Sequence, residues 1–279
     1  AKAIGLDHRI AQPSQAQLGG AASDALLLEA TRIAGPVVYP YETESPLASE
    51  AMVLSHLLVS PSQDHVTRTV PLSTELGTVS IPAFGLALYK LAQPQASQTG
   101  TIALVNYAGD GSLENLPTLS FAALWEALET HHDERLESWF TNKVAVFLPD
   151  PAPAATWLLP TGQSVSGSAI HLHLLNMLLT DNRVCRLGPL NSGLVTLLLA
   201  SLVTWFLLHT GGSRSFLFAG AVVLVYGCLV VSALAFAHLV LPLALPLSAL
   251  ALVFVGATIW THLTAGQRMV LLERDMLRV

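Results

Sequence analysis

Between Arg186 and Arg268 the only charged side chain is Arg214. A stretch this poor in charge cannot present an ordinary solvated surface, so it is read as membrane-spanning. A helix needs about 20 apolar residues to cross the hydrocarbon core, and three stretches supply them: Leu190 to Leu208, Phe216 to Ala237, and Leu241 to Thr261. "HTGGSRS" makes a short turn between the first two. Pro242 and Pro246 interrupt the helical ladder between the second and third, and two spans are favoured there over one long kinked helix.

Flanking charge sets the expected orientation. Arg214 lies in the first loop, and Arg268, Arg274 and Arg278 follow the third span, while the second loop has no basic residue. The positive-inside rule then makes the first loop and the C-terminus cytoplasmic, with Trp205 and Trp260 near the inner interface. Residues 1–189 are expected to be extracytoplasmic, 190–262 the three-helix membrane region and 263–279 a cytoplasmic juxtamembrane helix. A multi-pass membrane protein is therefore expected, with its first part facing the periplasm or cell exterior.

The first two thirds hold nearly all the acidic residues behind the net charge of −6. An acidic surface argues against nucleic acid as a partner; small molecules and proteins remain. The two cysteines, Cys185 and Cys228, read as free thiols buried as small hydrophobes. No charged-then-apolar leader follows Ala1, so no signal peptide is legible, and the chain reads as a piece cut at both ends.

In this acidic part, apolar strand-like runs alternate with helix-period segments. "AKAIGLD" is a strand, "SDALLLEATRIA" a helix capped by Ser23, and "GPVVYPY" a strand. "TRTVPL" and "GTVSI" suggest a hairpin, followed by "PAFGLALYKLA", a helix opened by Pro82. "TIALVNYA" and "KVAVFLP" are strands, and "SFAALWEALE" and "SAIHLHLLNMLL" are helices. The expectation is an α/β fold, a layered mixed sheet with helices, followed by three transmembrane α-helices.

Candidate chemistry is sparse. "ETHHDERLE" groups His131, His132, Asp133 and Glu134, but reads as a solvated connection between a helix and a strand. No Ser-His-Asp set, phosphate-binding glycine loop or paired-cysteine motif appears in its required context. No catalytic residue, metal site or cofactor is therefore assigned. Ligands of an open sheet favour the carboxyl ends of its strands, which points to Asp7, Tyr41, Asn106, Tyr107 and Asp150. In "SAIHLHLLNMLLTDNR", His171 shares a helix face with Leu174, Leu175, Leu178 and Leu179. His173 lies two positions round, and two ligands at that spacing diverge, so the pair is a poor metal clamp.

Read together, "HVTRTVPL", "IPAFGLALYKLA", "ALVNYAGDGSLENLPTLSFAALWEAL", "FTNKVAVFLPD" and "VSGSAIHLHLLNMLLTDN" resemble the type-two CHASE domain. "AKAIGLD" and "DALLLEATRIAGPVVYP" extend the resemblance over nearly the whole chain. That family supplies extracytoplasmic sensors to bacterial nucleotide cyclases, histidine kinases, diguanylate cyclases and serine/threonine kinases. Its members typically have one span before the sensor and three after it. The resemblance implies that the N-terminal span and the first part of the sensor precede this stretch, and that His171, after the turn at Gly167, is the family's histidine in the last sensor helix. His171, Leu175 and Leu178 would then form the helix that couples sensor to membrane. Two departures bear on the ligand: "DPAPAATW" replaces a Gly-Ala-Thr or Gly-Ala-Ser turn, and "HRIAQPSQAQLGG" replaces an acidic, aromatic-rich stretch.

After the third span, Met269, Leu272, Met276 and Val279 repeat at the a and d positions of a coiled coil. In a parallel dimer Arg268 of one chain would face Glu273 of the other. The expected protein is thus the sensor and membrane module of a homodimeric receptor for an unidentified small-molecule or protein stimulus. Its expected output is a class III nucleotide cyclase making cAMP. A histidine kinase or diguanylate cyclase is the alternative output, and a non-sensing accessory or scaffolding subunit the alternative role.

Overall fold

The computed structural model describes residues 1–7, 15, 17, 19–41, 52–96, 100–107, 109–111, 113, 116–148, 156–209 and 213–276. The chain divides into two compact units, Ala1–Arg183 and Val184–Val279.

The first unit begins with a βαβ motif: β1 (Ala3–Leu6), α1 (Gly20–Ala34) and β2 (Val37–Pro40). Parallel strands need such a crossover, and β1 and β2 pair in parallel with Ile4 opposite Val37. β3 (Met52–Ser55) adds in parallel to β2. The chain then leaves this sheet for β4 (Ser60–Pro61), β5 (Thr67–Pro71), β6 (Ser73–Leu76) and β7 (Val79–Pro82). Next come α2 (Phe84–Ala92), β8 (Ile102–Leu104), α3 (Phe121–Glu129) and α4 (Asp133–Phe140). β9 (Val144–Phe147) returns to the first sheet, and β10 (Thr156–Leu158), β11 (Ser164–Ser166) and α5 (Gly167–Leu179) complete the unit.

The α/β expectation holds, with the mixing of strand directions occurring between sheets. β3-β2-β1-β9 is wholly parallel, whereas β4-β5-β8 is antiparallel. β6 with β7, and β10 with β11, form separate antiparallel pairs.

Four local expectations need correction. Thr67–Pro71 does not pair with Val79–Pro82; the hairpin joins Ser73–Leu76 to β7 across Gly77, whose φ of 63° suits a tight turn. Ser23 does not cap α1, which starts earlier behind Gly19 because Ala21 and Ala22 extend it. Pro82 ends β7 and Ala83 takes the N-cap position of α2. "DERLESWF" is a helix, α4: Asp133 and Glu134 suit its N-terminal dipole, and Arg135 lies over the Trp139 ring at 5.4 Å.

The core forms where α2 packs on the parallel sheet and on α5. Phe84, Leu88, Val38, Val70, Leu72, Leu159, Ile170, Leu174 and Leu178 are fully buried. Burial of each large side chain contributes roughly 1.5–3 kcal/mol. Gly5 of β1 admits α2: a Cβ there would lie 2.8 Å from Cζ of Phe84.

The second unit holds β12 (Cys185–Arg186), α6 (Pro189–His209), α7 (Ser213–Ala237), β13 (Leu239–Val240) and α8 (Ala244–Met276). β12 and β13 pair in parallel, and α6 packs against α7 and α8, with Phe206 stacked on Phe218 at 3.7 Å between ring centroids. Two stretches, Pro189–His209 and Leu217–Ala237, are long and apolar enough to cross a membrane. Most of their apolar side chains face outward, as suits contact with lipid. The apolar part of α8 runs Ala244–Trp260, which is shorter. α7 and α8 are separate helices, and Pro246 occupies the first turn of α8, where the missing amide donor is harmless. Cys185 and Cys228 are free but exposed, so the expectation of buried thiols is corrected: one lies on a two-residue strand, the other on the outer surface of α7.

Candidate functional site

The last helix of the first unit, α5, is where the sequence-predicted groups converge. Ser166 begins it, with its hydroxyl accepting from the Ala169 amide at 3.3 Å. Asp181, at φ 52°, ends it in the left-handed conformation that releases a helix, and the Asn182 amide donates to the Met177 carbonyl at 3.0 Å. Between these ends Ala169, Ile170, His171, His173, Leu174, Leu175, Met177 and Leu178 are buried, so two sides of the helix face protein.

Asp7 is buried at the carboxyl end of β1, where its amide donates to the Phe147 carbonyl of β9 at 3.0 Å. Its carboxylate accepts a hydrogen bond from the Ser168 hydroxyl in the first turn of α5. A carboxylate at a helix N-terminus is also favoured by the helix dipole. This contact ties α5 to the point where sheet order reverses, since β2 and β9 flank β1.

Asn106 and Tyr107 follow β8 and therefore belong to the antiparallel sheet, which corrects the expectation that they end a strand of the same open sheet as Asp7. Both reach α5 further along. The Asn106 amide donates to the sulfur of Met177 at 3.4 Å, and its side-chain nitrogen donates to the Asn182 carbonyl at 3.2 Å. The Tyr107 hydroxyl donates to the Thr67 carbonyl at 3.1 Å, and its ring meets His173 edge-on at 5.4 Å. Burial pushes the Tyr107 phenol up.

Tyr41 makes a different contact, donating its amide to the Ser55 carbonyl at 2.6 Å. Asp150 lies outside the described residues. The described members of the predicted group are thus spread along α5 and the ends of two sheets.

His171 and His173 diverge, as their spacing requires, but both are buried. His173 Nε2 lies 2.9 Å from the Gly111 carbonyl and donates to it in that tautomer. Burial lowers its pKa, with the Gly111 carbonyl and Asp110 opposing the shift. His171 sits on the other side, its ring edge-on to His56 at 6.1 Å. Among the described residues neither ring nitrogen of His171 makes a hydrogen bond within ordinary limits. Burial holds His171 and His56 down to about 4; the neighbouring His56 adds to the effect on His171, and the Leu57 and Leu58 backbone partly offsets it. Sequence reasoning missed His56, which directly follows β3, because its partner lies far along the chain.

Among the described residues no group of three or more His, Cys, Asp and Glu is placed to hold a metal. Of the juxtamembrane residues, Arg268, Met269, Leu272, Glu273 and Met276 fall within α8, while Val279 lies outside the described residues.

The other face of α5 borders a half-open cavity of about 980 Å³ against β9. Phe121 and Leu124 of α3, Phe140 of α4, Val146 of β9, and Leu172 and Leu175 of α5 line it, together with Lys2 and Lys143. Its size and apolar wall are those of a small-molecule site.

An α/β unit closed by a buried helix is followed in the chain by two helices long and apolar enough to cross a membrane. The family model of the CHASE2 domain matches residues 1–209. The chain belongs to the CHASE2 family. CHASE2 domains are extracellular sensor domains of signalling receptors. The matched region covers the whole first unit and the whole of α6, so the CHASE2 pattern includes the passage from α5 into the first apolar helix. No curated protein and no solved structure matches this CHASE2 chain.

Proposed function

We propose that this CHASE2 chain is the sensing and membrane module of a homodimeric bacterial receptor, passing an extracytoplasmic signal to a cytoplasmic effector. The observation that carries this reading is the family match from residue 1 through α6, across the helix that Asp7, Tyr107 and Asn106 anchor. A signal that favours one arrangement of these anchors shifts α5, and Val184 follows α5 closely in the chain. In this reading α6, α7 and the stretch 241–261 cross the inner membrane, and Arg214 and the residues after the third span are cytoplasmic.

The proposed output is a class III nucleotide cyclase that makes cAMP, with a histidine kinase or diguanylate cyclase as alternatives. The basis is the short basic and acidic helix around Arg268 and Glu273. It has the a and d rhythm that would hold two effector domains side by side.

Cysteine substitution tests the arrangement directly. With Cys185 and Cys228 replaced by serine, Leu272→Cys in membranes should form disulfide-linked dimers, and Ser62→Cys should react with an impermeant maleimide from outside. Absence of dimers at 272 overturns the dimeric mechanism, and reaction of Ser62→Cys from the cytoplasmic side overturns the orientation. Expression of the full coding product in cells lacking their own cyclase should raise cAMP. Cyclic di-GMP or phosphohistidine instead would replace the cyclase output with one of its alternatives.

A further inference from the structure

Ala3 of β1 stands in register with Val144 of β9, and the Lys2 amide donates to the Lys143 carbonyl at 2.8 Å. Lys2 and Lys143 are therefore neighbours at the same end of two parallel strands, an arrangement in which like charges repel. Both line the cavity, and among the described residues no Asp or Glu does. Among the described residues neither lysine makes an ion pair; Lys143 Nζ donates to the neutral Ser138 carbonyl at 2.9 Å, which positions its charge without cancelling it. In a chain with 19 acidic against 13 basic residues, this local excess of positive charge runs against the overall balance.

The wall beside the lysines is apolar. Phe121 remains 65% exposed, although an aromatic ring of that size gains by burial. Leu172 and Leu175 bring α5 itself into the wall. An occupant that satisfies both parts needs an anionic end and an apolar body.

We propose that this cavity binds an amphiphilic organic anion, a carboxylate on a long aliphatic body, with its charge between Lys2 and Lys143 and its body against Phe121, Leu124, Phe140, Leu172 and Leu175. The inference deepens the sensor reading and rests on it for the purpose of binding. About 980 Å³ is near the upper end of small-molecule pockets, which favours a long body over a short one. Occupancy presses on Leu172 and Leu175, which join the cavity wall to the core, and so biases the helix that leads to the apolar helices.

The test uses the full chain in lipid nanodiscs with a diazirine-bearing hexadecanoic acid and the matching alcohol, followed by peptide mass spectrometry. The carboxylate should label peptides around 121–124, 140 and 172–175 saturably, and unlabelled hexadecanoate should compete. Lys2→Gln with Lys143→Gln should weaken that competition at least tenfold while leaving alcohol labelling and the melting temperature unchanged, since both side chains are exposed. Equal labelling by acid and alcohol with no effect of the double variant overturns the proposal. So does labelling confined to 189–237, which would report only partition into lipid.

The same samples separate this proposal from the sensor reading. If the carboxylate labels the cavity but does not alter crosslinking at position 272, the site stands and the signalling role falls. If crosslinking at 272 responds to another external compound while the cavity stays unlabelled, the site falls and the signalling role stands.

Discussion

Gly85 of α2 lies against the backbone of His171 of α5: a Cβ at Gly85 would stand 2.4 Å from the His171 carbonyl oxygen and 3.2 Å from the Leu175 amide nitrogen. The two helices meet main chain to main chain, and no flexible side chain is available to yield. Gly85→Ala should therefore separate them and destabilise the first unit by about 1–3 kcal/mol. Gly227→Ala on α7, which meets nothing within 4 Å, should be neutral by comparison. Urea unfolding followed by tryptophan fluorescence checks both; an unchanged midpoint for Gly85→Ala would sink the close-packing account.

The buried histidines set a pH dependence. The folded pKa values of His56 and His171 are near 4, below the ordinary value of 6.5, because burial disfavours the charged ring. The unfolded chain therefore binds more protons between pH 6.5 and 4, so stability is full above 6.5 and is lost as pH falls through that window. A loss carried to completion is on the order of 3 kcal/mol for each ring. Unfolding midpoints measured from pH 7 to 4 should fall, and His171→Leu should flatten the slope. An equal slope in that variant would remove His171 from the account.

Asp7 and Ser168 should be energetically coupled. Ser168→Ala leaves a buried carboxylate without its hydroxyl donor, which costs about 1–3 kcal/mol. Asp7→Asn removes the charge, so the second change should then cost less. A double-mutant cycle by chemical denaturation should give a coupling of at least about 1 kcal/mol, whereas simple additivity would mean that the contact does not hold α5 to the sheet end.

Ser166→Ala should weaken the start of α5 by about 1 kcal/mol through loss of its N-cap. Ser166→Asp should restore most of the loss. Hydrogen exchange at the Ala169 amide reports the change locally, and equal exchange in all three proteins would assign Ser166 no capping role.

Some of this was legible from residue order and some was not. α5 and α2 declare themselves because their apolar residues repeat at helical spacing, and the first two apolar helices because a charge-free run of that length has few other uses. Strand partners are another matter. "TRTVPL" is as strand-like as "STEL", and which of them meets "VSIP" depends on the turn at Gly77, which leaves room only for the segment directly before it. The sheet of Asn106 and Tyr107 is hidden for a related reason: β8 finds its partner in β5, more than thirty residues earlier, by packing that no local pattern records. α4 was hidden by its polarity, although Leu136, Trp139 and Phe140 carry a helical spacing among the charges. The cavity is space left between elements, and nothing in residue order shows that Lys2 and Lys143 become neighbours beside it.

The pairing of β1 with β9 also has a bearing on how the domain is made. Residues 3–6 cannot complete their sheet until residues 144–147 exist. At a synthesis rate of about 5–20 residues per second, the first strand waits roughly 7–28 seconds for its second neighbour. During that interval its outer edge is an unpaired template of the kind that recruits other chains. Closing so long a loop also makes late, slow assembly of the sheet the natural course. A holding chaperone that masks β1 should therefore raise the yield of folded protein more than one that binds the later helices.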